Sequence, residues 1–143
     1  GKCVPCRVGT RRMLEILTRI CEGNGREGDI ELLESLSKEI RQDSLCGLGQ
    51  GAPNPVVSTL KHFRHEYEAH IKDKKCPAKV CRALISYEIN PENCVGCTLC
   101  ARNCPVDAIT GEAKKTHVID PDLCIRCGIC SQVCNYDAVN VTT

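Results

Sequence analysis

The chain has 143 residues and 14 cysteines, about one residue in ten, against three Tyr, one Phe and no Trp. So few rings leave little large apolar volume for a core, and something besides hydrophobic burial must hold the fold. The formal net charge of +1 excludes bulk attraction to nucleic acid or anionic lipid. No apolar run approaches the roughly 18 residues of a membrane span and no signal peptide is visible, so a soluble, cytoplasmic chain is expected, with neither nucleic acid nor membrane as partner. The opening Gly1-Lys2-Cys3, without Met, reads as part of a longer polypeptide.

In chain order, Leu14, Leu17, Ile20 and Cys21 recur at helical spacing after Gly9-Thr10, and Gly23-Asn24-Gly25 ends the run, which predicts a first helix of about three turns. Asp29 is the expected N-cap of a second helix with Leu32, Leu33, Leu36 and Ile40 as its apolar stripe, ending near Asp43. The glycine-rich segment Leu45 to Pro53 reads as a loop. Asn54-Pro55 then supplies a cap and a first-turn proline for a third helix, whose face is Val56, Leu60, Phe63, Tyr67 and Ile71. Residues 1–71 are therefore expected to form a small helical bundle, residues 72–83 a linker starting at the charged quartet Lys72 to Lys75, and residues 84–143 a second domain that opens with a strand-like Leu84 to Ile89.

That second domain repeats itself. Tyr87 to Thr110 and His117 to Asn140 align without gaps at an offset of 30: Ile89 with Ile119, Pro91 with Pro121, four cysteines with four cysteines, Asp107-Ala108 with Asp137-Ala138. The cysteines are Cys94, Cys97, Cys100 and Cys104, then Cys124, Cys127, Cys130 and Cys134. Ligands at every third residue let a tight loop wrap three irons of one cube, while the fourth cysteine points to the neighbouring cube. The predicted ligand sets are Cys94, Cys97, Cys100 and Cys134 for one [4Fe-4S] cluster, and Cys124, Cys127, Cys130 and Cys104 for the other. Gly96 and Gly128 fit loops whose backbone approaches a cluster and aims N–H groups at its sulfurs. A disulfide framework would require a secretory signal, and zinc knuckles use separated CxxC pairs rather than an unbroken triplet. The last 55 or so residues resemble a bacterial-type two-cluster ferredoxin domain, departing from its pattern at Asn135, where that family has proline. Such a domain relays single electrons.

Cys3 and Cys6 form a CxxC at a helix start, where the dipole favours thiolates; taken alone it is compatible with zinc or a redox dithiol. The surrounding text, GKCVPCRVGTRRMLEIL with LCGLGQGAPNPVVSTLKHFRHEYEAHI, resembles the C-terminal helical domain of the flavin-bearing, NADH-oxidising subunit family of respiratory complex I, NAD-linked formate dehydrogenases and multimeric hydrogenases. In that family a SCGxCxPCRxG motif and a distant LC hold a [4Fe-4S] cluster that takes electrons from FMN. The resemblance implies that Cys3, Cys6 and Cys46 are three ligands of a third cluster, the first ligand falling just before Gly1, and that FMN and NAD(P) sites lie upstream. An appended two-cluster ferredoxin domain is typical of the beta subunit of NAD(P)-linked, often electron-bifurcating, [FeFe]-hydrogenases.

The implied function is an α+β electron-transfer module of such an oxidoreductase. The implied partners are a hydrogenase catalytic subunit, a small [2Fe-2S] thioredoxin-like subunit and soluble ferredoxin, in a hetero-oligomer. A formate dehydrogenase setting for the same module, and a zinc-stabilised interaction module, are the alternatives. His70, Cys76 and Cys81, spaced Hx5Cx4C, suit mixed His/Cys ligation of Zn2+, with Cys21 as the fourth ligand if the far ends of the first and third helices meet. Such a site would anchor a mobile linker and allow it to gate electron flow. The bland reading makes Cys21 a small buried hydrophobe and the other two free thiols. His62 and His65 are expected in solvent, and His117 is given no role.

Overall fold

The computed structural model describes all of residues 1–143 and divides into two compact units, Gly1–Pro77 and Ala78–Thr143. The fold is α+β, helix-rich with two small sheets. No helix is long and apolar enough to cross a membrane.

The first unit is built from α1 (Val4–Cys21), α2 (Asp29–Asp43), α3 (Gly47–Gly51) and α4 (Asn54–Glu68), the last running into a π-helical turn at Ala69–Asp73. Its core is Met13, Ile16 and Ile20 of α1, Ile30, Leu33 and Ile40 of α2, Leu60 of α4, and Ile71. The first helix starts earlier than its periodicity suggests and spans 18 residues. Pro5 sits in its first turn, where a missing N–H costs nothing. Gly9 lies inside the helix because Ile40 presses against it: a Cβ there would meet Ile40 Cγ1 at 2.5 Å. The buried stripe is accordingly Gly9, Met13, Ile16 and Ile20, and the predicted Leu14 faces solvent.

Asp29 is the first residue of α2 rather than its cap, a position held by Gly28 at φ 89°. Its buried carboxylate accepts from Arg19 Nε at 2.9 Å, from Arg19 Nη2, and from the Arg26 N–H at 2.9 Å. The glycine-rich segment predicted as loop contains the short helix α3, and Gly49 is required there because a Cβ would strike Ser44 Cβ at 2.7 Å. Asn54 likewise lies just inside α4, with Pro53 as the cap residue. Phe63, predicted on the apolar face, adopts φ −128°, ψ 30° at a kink in α4 and is half exposed.

In the second unit a 3-10 turn (Arg82–Leu84) replaces the start of the expected strand, and β1 (Ser86–Ile89) follows. Then come α5 (Leu99–Arg102), β2 (Ile109–Thr110), β3 (Val118–Ile119), α6 (Ile129–Gln132) and β4 (Val139–Thr142). β1 pairs antiparallel with β4, Ser86 opposite Thr142 and Ile89 opposite Val139; β2 pairs with β3, Ile109 opposite Ile119.

The repeat written in the sequence is reproduced bond by bond. Asn90 N donates to Ala138 O at 2.7 Å and Asp120 N to Ala108 O at 2.8 Å, while Cys94 N reaches Asn90 O and Cys124 N reaches Asp120 O. Left-handed residues also fall in pairs thirty apart: Gly96 and Arg126, Thr98 and Gly128, Asp107 and Asp137. At both loop positions a glycine in one repeat corresponds to a side-chain-bearing residue in the other. The turn thus demands positive φ, not glycine itself. The room at Gly96 is taken by the main chain of Lys114 and Lys115, with Lys115 N 2.5 Å from where a Cβ would be, rather than by a cavity-facing approach.

Candidate iron–sulfur and metal sites

The second unit encloses two cavities. One is lined by Cys94, Cys97, Cys100 and Cys134, the other by Cys124, Cys127, Cys130 and Cys104. Each therefore draws three cysteines from one run and the last cysteine of the other. The β1–β4 and β2–β3 pairings produce this exchange, since each brings a residue beside one run against the end of the other. The N–H of Ala108 donates to Cys104 Sγ at 3.3 Å and the N–H of Ala138 to Cys134 Sγ at 3.4 Å, bonds of the kind that steady a ligand sulfur and temper its charge.

Electrostatics at the cysteines reflect crowded thiols in an apolar shell. Burial first, then the neighbouring Cys124 and Cys127, pushes the Cys130 thiol up to about 11, and burial followed by Cys97 and Cys94 raises Cys100. Cys100 also raises Cys130, which places the third cysteines of the two runs within electrostatic reach of one another. The Tyr87 hydroxyl is raised by burial and then by Cys130, Cys127 and Cys124. Four thiolates cannot share such a cavity without a cation to offset their charge, and iron is a fitting one. The donor set and its enclosure fit a [4Fe-4S] cube in each.

In the first unit Cys3 occupies the N-cap position of α1, Cys6 lies in its first turn, and Cys46 is the N-cap of α3. The Cys3 thiol is held below its usual range by a backbone hydrogen bond from Cys6 first, then one from Leu45, with the Ser44 hydroxyl adding to them. The position of a Gly49 Cβ is 3.2 Å from Cys6 Cβ. The segment Ser44 to Gly49 therefore folds over the start of α1 and gathers the three cysteines at one end of the bundle, at two helix N-termini where thiolates are favoured.

Within the short stretch from His70 to Cys81, the ligand atoms of His70, Cys76 and Cys81 all lie within 4.8 Å of one another. His70 Nδ1 is 2.7 Å from Glu66 O, so the carbonyl accepts the Nδ1 hydrogen and fixes the tautomer in which Nε2 carries the lone pair, the usual support for a ligating imidazole. The π-helical turn carries His70, and its exit through Lys74 at φ 54° reverses the chain toward Cys76. Cys21 does not join this group. The far ends of α1 and α4 do meet as expected: Cys21, Leu17 and Ile20 border an apolar groove with Phe63, Tyr67 and His70, but the Cys21 thiol is exposed at its edge.

His117 is the residue that sequence reasoning passed over. It is 1 % exposed and borders the cavity of Cys94; the signal available was its alignment with Tyr87 at the offset of 30.

Cysteines gathered four to a cavity, in a duplicated loop with no room for substrate beside them, define an iron–sulfur electron-transfer module. Residues 1–70 match the NADH-ubiquinone oxidoreductase-F iron-sulfur binding region and residues 87–141 match the 4Fe-4S dicluster domain. Among individual proteins, the chain is 55 % identical over 117 residues to the NADP-reducing hydrogenase subunit HndC of Solidesulfovibrio fructosivorans, which covers 82 % of this chain and 24 % of that protein. It is 44 % identical over 77 residues to the F-type NADH-quinone oxidoreductase subunit of Streptomyces coelicolor, and 47 % over 77 residues to one from Rhizobium meliloti, covering 54 % of this chain in each case and 17 % and 18 % of those proteins. The chain thus spans about a quarter of the first relative and under a fifth of the other two.

Proposed function

We propose that the chain is the electron-relay portion of an NAD(P)- and FMN-dependent hydrogenase subunit, working in the cytoplasm within a hetero-oligomer that includes a hydrogenase catalytic subunit and a small [2Fe-2S] subunit, and exchanging electrons with soluble ferredoxin. The observation that carries this is the pair of cavities with four cysteines each, joined in one chain to a helical region matching the NADH-oxidising subunits. The hydrogenase setting is favoured by the extent of the match to HndC, which runs over 82 % of the chain where the NADH-quinone subunits match 54 %.

Cys94, Cys97, Cys100 and Cys134 hold one [4Fe-4S] cluster and Cys124, Cys127, Cys130 and Cys104 the other. Cys3, Cys6 and Cys46 contribute to a third at the end of the bundle. Such clusters, when bound, accept and return one electron at a time. This chain supplies the thiolates, the N–H···S bonds of Ala108 and Ala138 and largely aliphatic walls. His70, Cys76 and Cys81 hold Zn2+, which closes the His70–Cys81 segment on itself as a structural clip.

The test is iron, acid-labile sulfide and zinc per chain in anaerobically prepared protein. About eight irons with matching sulfide in the second unit, and one zinc, are expected. Zinc without iron or sulfide would overturn the relay. Iron with no zinc would leave the relay and remove the clip.

A further inference from the structure

Two buried side-chain polar atoms make no hydrogen bond within the protein, His117 Nε2 and Ser44 Oγ. The second stands at the cysteine end of the bundle, where the relay described so far gives it no task. A buried hydroxyl without a partner is costly, and folded proteins keep few of them. Other hydroxyls of the bundle follow that rule: Ser37 Oγ donates to Leu33 O at 2.6 Å and Thr10 Oγ1 to Cys6 O at 2.7 Å.

Ser44 directly follows α2. It is 4 % exposed while Leu45 beside it is 87 % exposed, so the chain turns the serine inward as it leaves the helix. Its N–H donates to Ile40 O at 3.2 Å, and its carbonyl accepts from Gln50 Nε2 at 3.1 Å. Gly49 packs against it so closely that a Cβ there would stand 2.7 Å from Ser44 Cβ and 2.8 Å from Ser44 Oγ. That same point is 3.2 Å from Cys6 Cβ, so the hydroxyl and Cys6 meet across Gly49. On its other side the hydroxyl bears on Cys3, whose thiol it helps to hold down, and Cys46 follows two residues later in the chain.

The unspent donor thus sits among the three cysteines, clamped by backbone bonds and by a glycine that leaves it no other direction. A thiol sulfur is a weak acceptor, whereas a metal-bound thiolate carries charge and accepts strongly. Hydrogen bonds to the sulfurs of a cluster stabilise its more negative, reduced form and raise its potential.

We propose that Ser44 is a positioning residue of the third cluster, its hydroxyl donating to the Cys3 thiolate and so favouring the reduced state. The inference rests on the third-cluster reading above. It gives that cluster a side-chain donor in addition to its backbone N–H groups, and one that can be removed without touching a ligand.

The experiment uses the full-length subunit with its clusters assembled anaerobically. Cys46→Ala first identifies the cluster: it should remove about four irons and one electron paramagnetic resonance signal. A variant that keeps both would overturn the third-cluster reading rather than the role of Ser44. At a fixed solution potential near the midpoint of that signal, Ser44→Ala should lower the ratio of reduced to oxidised cluster at least threefold, equivalent to about 28 mV for a one-electron couple. The signals of the other clusters should not move, and Ser44→Thr, which keeps a hydroxyl, should restore the ratio. In the unaltered protein, brief transfer to D2O before freezing should couple a deuteron to that signal, since a hydroxyl exchanges far faster than buried amides; Ser44→Ala should lack it. An unchanged ratio in Ser44→Ala, an equal fall in both variants, or no fast-exchanging deuteron in the unaltered protein would overturn the proposal. If Ser44→Ala fails to assemble the cluster, the deuteron in the unaltered protein decides alone.

Discussion

At the scale of single residues, the pair Arg19–Asp29 shows how a local expectation can be right in place and wrong in cause. Asp29 marks the start of α2 because a carboxylate suits a helix N-terminus, but its partner lies ten residues back, at the end of α1, and nothing in the spacing reveals that. The Arg19 guanidinium first, then the Arg26 N–H, holds the Asp29 carboxyl below its ordinary range, and the side chain is buried. The folded pKa being lower than the unfolded one, this contribution is complete above the ordinary carboxylate pKa of about 3.9 and is lost as pH falls through the folded value. Asp29→Asn should therefore cost about 2 kcal/mol at pH 7 and flatten the acid limb of stability. Urea unfolding followed by far-UV circular dichroism at pH 7 and pH 3 measures both, and equal midpoints at pH 7 for the two proteins would count against the pair.

At the scale of elements, legibility tracked how far each signal depended on neighbours in space. The limits of α2 were readable because the turn signals on either side of it are local, but Gly28 and not Asp29 caps it, and its buried stripe is Ile30, Leu33, Ser37 and Ile40, with the predicted Leu32 exposed. The early start of α1 was not legible in its apolar periodicity, which begins only after Gly9-Thr10, because Pro5 is a first-turn proline and Gly9 a contact glycine. The stripe of α1 shifted by one residue for the same reason: Met13 is buried and Leu14 exposed because Gly9 sets which face meets Ile40. Gly9→Ala tests this directly. On helix propensity alone it should stabilise by nearly 1 kcal/mol, yet the Cβ would lie 2.5 Å from Ile40 Cγ1, and Ile40 is 1 % exposed with nowhere to move. A net loss of about 1–2 kcal/mol is expected, from overpacking, and a gain in thermal midpoint would show that the helices separate easily there. The π-helical turn after α4, Ala69–Asp73, carries His70 and has no signature in the local apolar spacing. Cys76→Ser should abolish zinc uptake while leaving the iron content of the second unit unchanged, as read by elemental analysis. Parallel loss of both metals would mean that the segment supports folding and not only a metal.

At the scale of the molecule, the cysteine runs carried most of the information, because a repeat at a fixed offset constrains pairing, loops and cavities together. What the repeat concealed was its own imperfection at His117, since an alignment draws the eye to what agrees. The exchange of fourth cysteines can be tested by one change. Cys134→Ser lies in the second run yet borders the cavity of the first, so it should disturb the paramagnetically shifted proton resonances of Cys94, Cys97 and Cys100 and spare those of Cys124, Cys127 and Cys130. The reverse pattern would mean that each run keeps its own fourth ligand.

The crossed lining of the two cavities has a historical implication. A lone thirty-residue repeat owns three walls of one cavity and a single cysteine of another, so it can complete neither. Two copies of that repeat, held by the same strand pairings, would complete both. An unfused ancestor would have assembled only as fast and as far as its concentration allowed, whereas the short connection from Thr110 to Val118 keeps the second copy permanently at hand.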